Sequence, residues 1–151
     1  MLKEILTISL ITLTPLLELR ASIPFGIGIK IPLMIVLITA ILTNIILGPL
    51  VYIFLNKFVH LFTRYKLFRV PYNKVIKRTQ KRIQKKVEKY GEFAIALFIA
   101  VPLPGSGSYT GALAAHIIGL SYKKFIISNI IGVLISAIIV TLVSLGFFSL
   151  F

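Results

Sequence analysis

Two long runs without charged residues dominate the pattern of hydrophobic and polar positions along the chain. Ile31 to Asn56 (26 residues) and Phe125 to Phe151 (27 residues) contain no Asp, Glu, Lys or Arg. Each run exceeds the roughly 20 residues that cross about 30 Å of hydrocarbon, so we predict two transmembrane helices. In the first helix, Asn44 is expected to bond within the protein as a contact between helices. Gly48 and Pro49 are expected to kink the same helix.

Two further apolar stretches are interrupted by loop-forming residues. Ile5 to Leu17 gives about 20 Å of helix at 1.5 Å per residue, which is too short to cross a bilayer. ELRASIPFGIG (residues 18–28) follows, and its Pro24, Gly26 and Gly28 are expected to break the helix. The uncharged residues 93–122 are likewise interrupted by VPLPGSGSYTG (residues 101–111). Each half of the chain thus predicts a short helix, a break, a return segment and a long span.

The positive charge is concentrated between the two apolar halves. Twelve of the 17 Lys and Arg fall within residues 57–89, and the net charge of the chain is +13. Residues 72–90 predict a basic helix with an apolar stripe. Between two spans, this pattern favours a helix on the inner leaflet over one that binds nucleic acid or packs on a partner. Its expected contacts with anionic headgroups are Lys74, Lys77, Arg78, Lys81, Arg82, Lys85 and Lys86.

The orientation of the chain follows from this basic linker. Short loops rich in Lys and Arg stay in the cytoplasm, so residues 57–91 are predicted to be cytoplasmic. The first unit then begins outside and the second inside. Lys123 and Lys124 favour a second stretch that dips into the membrane and returns over one that crosses it fully, because the return keeps both lysines inside. The segment containing Glu18 and Arg20 is wrong for a signal peptide, so we expect the N-terminal segment to be retained.

The predicted fold is therefore an all-α polytopic protein of the cell membrane. Two inverted repeats are expected, each a re-entrant helical hairpin plus a transmembrane helix. Residues 1–151 form one membrane domain, with the first hairpin and span in 1–56, the basic helix in 57–91 and the second hairpin and span in 92–151. A composition of 58% hydrophobic and 14% charged residues excludes an ordinary soluble domain.

Glu18 and Arg20 are the candidate charged site. They are the only full charges between Glu4 and Lys30 and are expected at the tip of the first hairpin. A charge at the bilayer centre costs about 2.5–3.5 kcal/mol on insertion scales. Either the two side chains neutralise each other and pin the hairpin, or Glu18 carries a proton while Arg20 holds an anionic group. A break in the helix would let them approach each other.

The loop in the second half is the candidate partner of this pair. Gly105, Ser106, Gly107 and Ser108 precede a helix that is expected to start near Thr110, and free N–H groups at a helix start bind anions. The alternative is a loop that simply packs tightly. The loop lacks the lysine and the spacing of a nucleotide-binding P-loop, so ATP binding is not expected. His116 is either structural or part of a proton relay with Glu18.

The residue inventory is poor for catalysis and for metal binding. The chain contains no Cys, and its four acidic residues are all Glu. No paired carboxylates, no metal-ligand cluster and no Ser with His and Asp at a suggestive spacing occur. We therefore expect neither an enzyme nor a bound cofactor or metal.

Several segments together resemble the putative small multidrug export family of prokaryotic membrane proteins. ELRASIPFGIG, the span with Asn44, the basic linker and AVPLPGSGSYTGALAA carry the resemblance, which covers nearly the whole chain. Its more specific residues are Glu18, Arg20, Pro24, Gly26, Pro102, Pro104, Gly105, Ser106, Gly107, Thr110 and Gly111. That family is in turn similar, more distantly, to the DedA superfamily. DedA proteins have two facing re-entrant hairpins and are associated with proton coupling and with translocation of phospholipids or polyprenyl phosphates.

Three functions follow as hypotheses. The resemblance implies transport, which gives a small-molecule or multidrug exporter, proton-coupled, with its site around Glu18, Arg20 and residues 104–111. A DedA-like lipid translocase would instead pass a phosphate headgroup along Arg20 and the loop amides. A membrane scaffold without transport would use its basic helix to recruit partners. The small size of the chain also favours self-association as a homodimer that completes the cavity.

Overall fold

The computed structural model describes residues 2–15, 17–62, 89–103 and 105–149, without the side chains of residues 59–62. These residues form helices and no strand. The helices are α1 (Leu2–Leu13), α2 (Glu18–Gly28), α3 (Leu33–Phe62), α4 (residues 89–100), α5 (Ser108–Ile118) and α6 (Tyr122–Ser149). The predicted basic helix at residues 72–90, including Lys74, Lys77, Arg78, Lys81, Arg82, Lys85 and Lys86, lies outside the described residues except for its last two positions.

The two long helices correspond to the two predicted spans. Within the described part of the chain, Leu33–Phe58 and Tyr122–Ser149 are long and apolar enough to cross a membrane. They run antiparallel, because Tyr52 stacks on Phe125 (ring centroids 5.0 Å apart) while Asn129 Nδ2 donates to Ile45 O (3.3 Å). α3 continues through Pro49 without ending. The kink expected there stays a prediction.

The first hairpin breaks earlier along the chain than the sequence predicted. Its turn follows α1 and contains Pro15, and residues 18–28 form the continuous helix α2. The prediction that Pro24 and Gly26 break the helix was therefore wrong, whereas α2 does end at Gly28. Pro24 removes a single backbone hydrogen bond. Gly26 lets α2 pack closely, since a Cβ at this position would lie 2.6 Å from Val36 Cγ2.

The second hairpin is broken at the place where the sequence predicted it. α4 ends at residue 100, the described residues 101–107 are not helical, and α5 begins at Ser108, two residues before the expected start. Ser106 Oγ holds this segment together at 2.5 Å from Val101 O and 2.9 Å from Leu103 O. Gly105 has φ +84°, a left-handed conformation that suits glycine.

The two hairpins approach α6 from its opposite ends. Glu92 at the start of the second hairpin pairs with Lys124 near the start of α6 (Oε1–Nζ 2.9 Å). Gly28 at the end of the first hairpin lies against the ring of Phe148, near the end of α6. The 28 residues of α6 are about 42 Å long at 1.5 Å per residue. The tips of the hairpins meet between these ends, where α2 packs on both α3 and α6 and α5 packs on α3.

Candidate functional site

The carboxylate of Glu18 lies at the N-terminus of α5. Ser108 N–H donates to Glu18 Oε2 (3.0 Å) and Tyr109 N–H donates to Oε1 (3.1 Å). Each carboxylate oxygen therefore accepts a hydrogen bond from one backbone amide of α5. The side chain is buried, and the positive end of the α5 dipole favours its charge. A helix does begin in the loop where the sequence predicted a helix start, and its first amides bind the carboxylate of the chain's own Glu18.

Gly107 makes this contact sterically feasible. It caps α5 in an extended conformation (φ −177°), which any residue can adopt. A Cβ at this position would overlap the Glu18 carboxylate, so the glycine is required for space. The Gly107 N–H donates to Thr110 Oγ1 (2.9 Å), which satisfies another amide of the first turn of α5.

Arg20 binds the other side of the break in the second hairpin. Its Nη2 donates to Ile99 O (3.1 Å), Val101 O (3.0 Å) and Ser106 Oγ (3.2 Å). Carbonyls at the end of a helix carry partial negative charge, so a guanidinium is a suitable partner for the end of α4. Two residues of the first hairpin therefore satisfy both broken ends of the second: Glu18 binds the start of α5 and Arg20 the end of α4.

Glu18 and Arg20 also contact each other. Arg20 Nη1 lies 3.5 Å from Glu18 Oε2. The sequence predicted that the pair could meet only where the helix is broken, and Glu18 has φ +47° at the first residue of α2. Such a conformation is strained for a residue other than glycine and costs on the order of 1–3 kcal/mol. The surrounding contacts hold Glu18 in it.

Asn44 brings α3 into the same site. Its Nδ2 donates to Glu18 Oε2 (3.3 Å), so the residue predicted as a contact between helices also contacts the buried carboxylate. Asn44 Oδ1, Ser108 Oγ and Arg20 Nε are buried and have no hydrogen-bond partner among the described residues. Because unpaired buried polar atoms are costly, the surroundings of Glu18 are suited to a polar ligand or a proton carrier.

Two residues of this region were missed from the sequence. The Tyr109 hydroxyl donates to Leu13 O (2.7 Å) and so connects α5 to the end of α1. Asn129 packs on Gly48, where a Cβ would lie 2.6 Å from Asn129 Cγ. Asn129 carries the same signal as Asn44, a polar amide within an apolar span, and could have been found by it. The backbone contact of Tyr109 leaves no signal in the sequence.

Other predicted site residues lie apart from the carboxylate. His116 is near the far end of α5, eight residues or about 12 Å from Ser108, with its ring 6.3 Å from that of Tyr52. Gly111 lies against Ile99, and a Cβ there would be 2.6 Å from that side chain. Pro102 is exposed, and Pro104 lies outside the described residues. The proton relay between His116 and Glu18 stays a prediction.

The class of protein follows from this fold and site. The described residues are all helix, turn or loop, two of their helices are of membrane length, and a buried carboxylate pairs with a partly buried guanidinium where the hairpins meet. These features indicate a helical membrane protein. Among the described residues, no group of three or more His, Cys, Asp or Glu could hold a metal ion.

The chain belongs to the family described as "Putative small multi-drug export protein", whose model matches residues 18–139. The match begins at Glu18 and therefore includes both hairpin tips. Neither the curated proteins nor the solved structures contain a match to this chain.

Proposed function

We propose that this protein is an integral membrane transporter that exports small molecules, coupled to protons, from a site between two re-entrant hairpins. The observation that carries the proposal is the buried carboxylate of Glu18 at the meeting point of the hairpin tips. It is bound by α5 from the opposite hairpin and by Asn44 from a span. The family's description as an export protein supports the same function.

The path of the second hairpin supports a re-entrant arrangement. A segment that crossed the membrane fully would separate Glu92 from Lys124 by about 30 Å of hydrocarbon. The two side chains are instead 2.9 Å apart. Residues 93–123 thus leave one end of α6 and return to it.

The lengths of the helices support an inverted repeat. α2 and α5 have 11 residues each, and α3 and α6 have 30 and 28. The first hairpin returns near one end of α6 and the second near the other. Inverted units with broken helices that meet near the bilayer midplane are common in secondary transporters.

The contacts of Glu18 provide a mechanism for coupling. In its charged form, the carboxylate accepts two α5 amides, which hold it to the second hairpin, and it pairs with Arg20 within its own hairpin. Protonation removes the charge and weakens each of these charge-assisted bonds. The start of α5 then separates from Glu18, while Arg20 keeps its bonds to the end of α4. The amides of α5 and the polar atoms of Asn44 and Ser108 become available to substrate. Loss of the proton to the other side of the membrane restores the closed state.

Lipid translocation is the second candidate. The α5 amides bind a carboxylate, which favours a site that also accepts the phosphate of a headgroup. In this conformation, however, Glu18 occupies those amides and Arg20 is bound to carbonyls of the same hairpin. A phosphate would have to displace both side chains, so export of small molecules is the simpler function.

The test is transport in proteoliposomes under an imposed pH gradient, with ethidium as the probe. Glu18→Gln keeps the shape and one acceptor oxygen but cannot carry the proton, so gradient-driven transport should fall by at least about tenfold. Glu4→Gln, a matched change on α1 outside the site, should transport as the unmodified protein does. Undiminished transport by Glu18→Gln would overturn the proposal. Transfer of a labelled phospholipid headgroup that disappears in Arg20→Ala would select the translocase.

A further inference from the structure

An apolar groove of about 360 Å³ runs between α4 and α6. Its floor is formed by the small residues Ala96, Ala100 and Ser128, all of them buried. Its walls are longer apolar side chains, among them Leu97 and Ile131, which are 64% and 45% exposed. Glu18 is not among the residues that line this groove. The groove forms because the small side chains of both helices leave unfilled space between two rows of longer side chains.

One end of this α4–α6 groove is charged. The Glu92 and Lys124 side chains form their ion pair there and remain 40% and 42% exposed. Lys89 and Tyr90 are exposed on α4, and Lys123 is exposed in the first turn of α6. Three lysines and one glutamate give this end of the described structure a net charge of +2. Lys and Tyr at the end of apolar helices are typical of the level of lipid headgroups.

We propose that the α4–α6 groove binds an anionic phospholipid, with one acyl chain along its apolar floor and the phosphate at Lys123 and Lys124. The proposal depends on the membrane placement in the proposed function and is independent of transport. An open apolar groove of a protein in a bilayer is filled by hydrocarbon, and basic residues at its end select an anionic headgroup.

The charge also argues against a second copy of the chain as the occupant. A symmetric dimer places the same surface patch of both copies face to face. Two groove ends that each carry a net charge of +2 would then repel each other, whereas an anionic headgroup neutralises them.

The absence of tryptophan from the chain permits a direct test by fluorescence quenching. Phe93→Trp places a single reporter on the groove wall, at a side chain that is 82% exposed. Phe54→Trp, at a side chain of α3 that is 61% exposed, is the matched control outside the groove. Each variant is reconstituted in phosphatidylcholine with increasing amounts of dibrominated phosphatidylglycerol, or of dibrominated phosphatidylcholine for comparison.

The preference is measured as the ratio of quenching by dibrominated phosphatidylglycerol to quenching by dibrominated phosphatidylcholine. This ratio is expected to be at least about threefold higher in Phe93→Trp than in Phe54→Trp. Adding Lys123→Gln and Lys124→Gln should abolish this difference. An equal preference at both positions, or one that is insensitive to the lysine changes, would overturn the proposal. So would quenching of the Phe54→Trp variant alone, because the groove would then be covered by protein. If neither variant is quenched by any brominated lipid, the membrane placement fails, and the proposed function fails with it.

Discussion

The two hairpin tips share one construction and have opposite chemistry. The first tip carries Glu18 and Arg20, two charged side chains that an apolar environment disfavours. The second tip, described at residues 101–103 and 105–107, carries no charged residue and offers the free backbone groups of a broken helix. Each tip supplies what the other lacks. The carboxylate binds the amides of α5, and the guanidinium binds carbonyls at the end of α4.

Neither hairpin satisfies its own polar groups, so the proposed position of the tips at membrane depth requires both hairpins together. An unsatisfied amide or carbonyl in hydrocarbon costs several kcal/mol, and so does an unpaired charge. The contacts of Glu18 and Arg20 with the second hairpin therefore form a structural joint between the hairpins, in addition to the proton uptake proposed for Glu18. Changes that break the joint should destabilise the fold, in an order set by how many groups each leaves unpaired.

The largest effect is expected for Arg20→Ala. It leaves Glu18 buried without its cation and removes the donor to Ile99 O and Val101 O, so the free energy of unfolding should fall by about 3–5 kcal/mol. Thermal or denaturant unfolding in detergent micelles measures this. Arg20→Lys should recover part of the loss, because a lysine keeps the charge but not the planar fork. A loss no greater than that of Lys3→Ala, an exposed lysine on α1, would contradict the account.

The next largest effect is expected for Gly107→Ala. The added methyl group overlaps the Glu18 carboxylate and pushes it from the α5 amides, at a cost of about 1–3 kcal/mol in stability. Gly146→Ala is the matched control, since a Cβ there meets nothing within 4 Å. The control should be neutral or stabilising by up to about 1 kcal/mol, as is usual for a glycine in a helix. Equal effects of the two substitutions would show that Gly107 is not needed for space.

A smaller effect is expected for Asn44→Leu, about 1 kcal/mol. The change removes a hydrogen bond to Glu18 but also removes the unpartnered Oδ1, and the two consequences oppose each other. Asn129→Leu is the comparison, because it loses a bond to the neutral carbonyl of Ile45 and an unpartnered Oδ1 as well. Unfolding in detergent should show the greater loss for Asn44→Leu. The reverse order would indicate that the Glu18 contact contributes no stability.

The smallest effect is expected for Tyr109→Phe. It removes the hydroxyl that donates to Leu13 O and leaves the backbone bond to Glu18 intact, so stability should fall by about 0.5 kcal/mol. Tyr90→Phe, at an exposed tyrosine on α4, should leave stability unchanged. The same unfolding assay measures both variants. A loss for Tyr109→Phe as large as that for Gly107→Ala would mean that the joint depends on α1 more than on the carboxylate.

The sequence predicted the parts of this fold that depend on composition. Two helices of membrane length follow from uncharged length, and the break at residues 101–107 follows from its prolines and glycines. The pairing of Glu18 with Arg20 was one of two alternatives that the sequence left open. The continuity of α2 could not be predicted, because tertiary packing against Val36 outweighs the local cost of Pro24 and Gly26. The same holds for the partners of Glu18, because the backbone amides of Ser108 and Tyr109 carry no signature of residue type.

The most direct test of the account is the side of the membrane from which each hairpin begins and ends. The chain has no cysteine, so single cysteines at the exposed positions Leu2, Tyr90, Ser121 and Ser149 can be labelled with an impermeant thiol reagent, in intact cells and in inverted vesicles. If the two hairpins face each other, Tyr90→Cys and Ser121→Cys should react only from the cytoplasm, and Leu2→Cys and Ser149→Cys should react only from outside. If Tyr90→Cys and Ser121→Cys react from opposite sides, residues 93–122 cross the membrane, and the facing hairpins are contradicted.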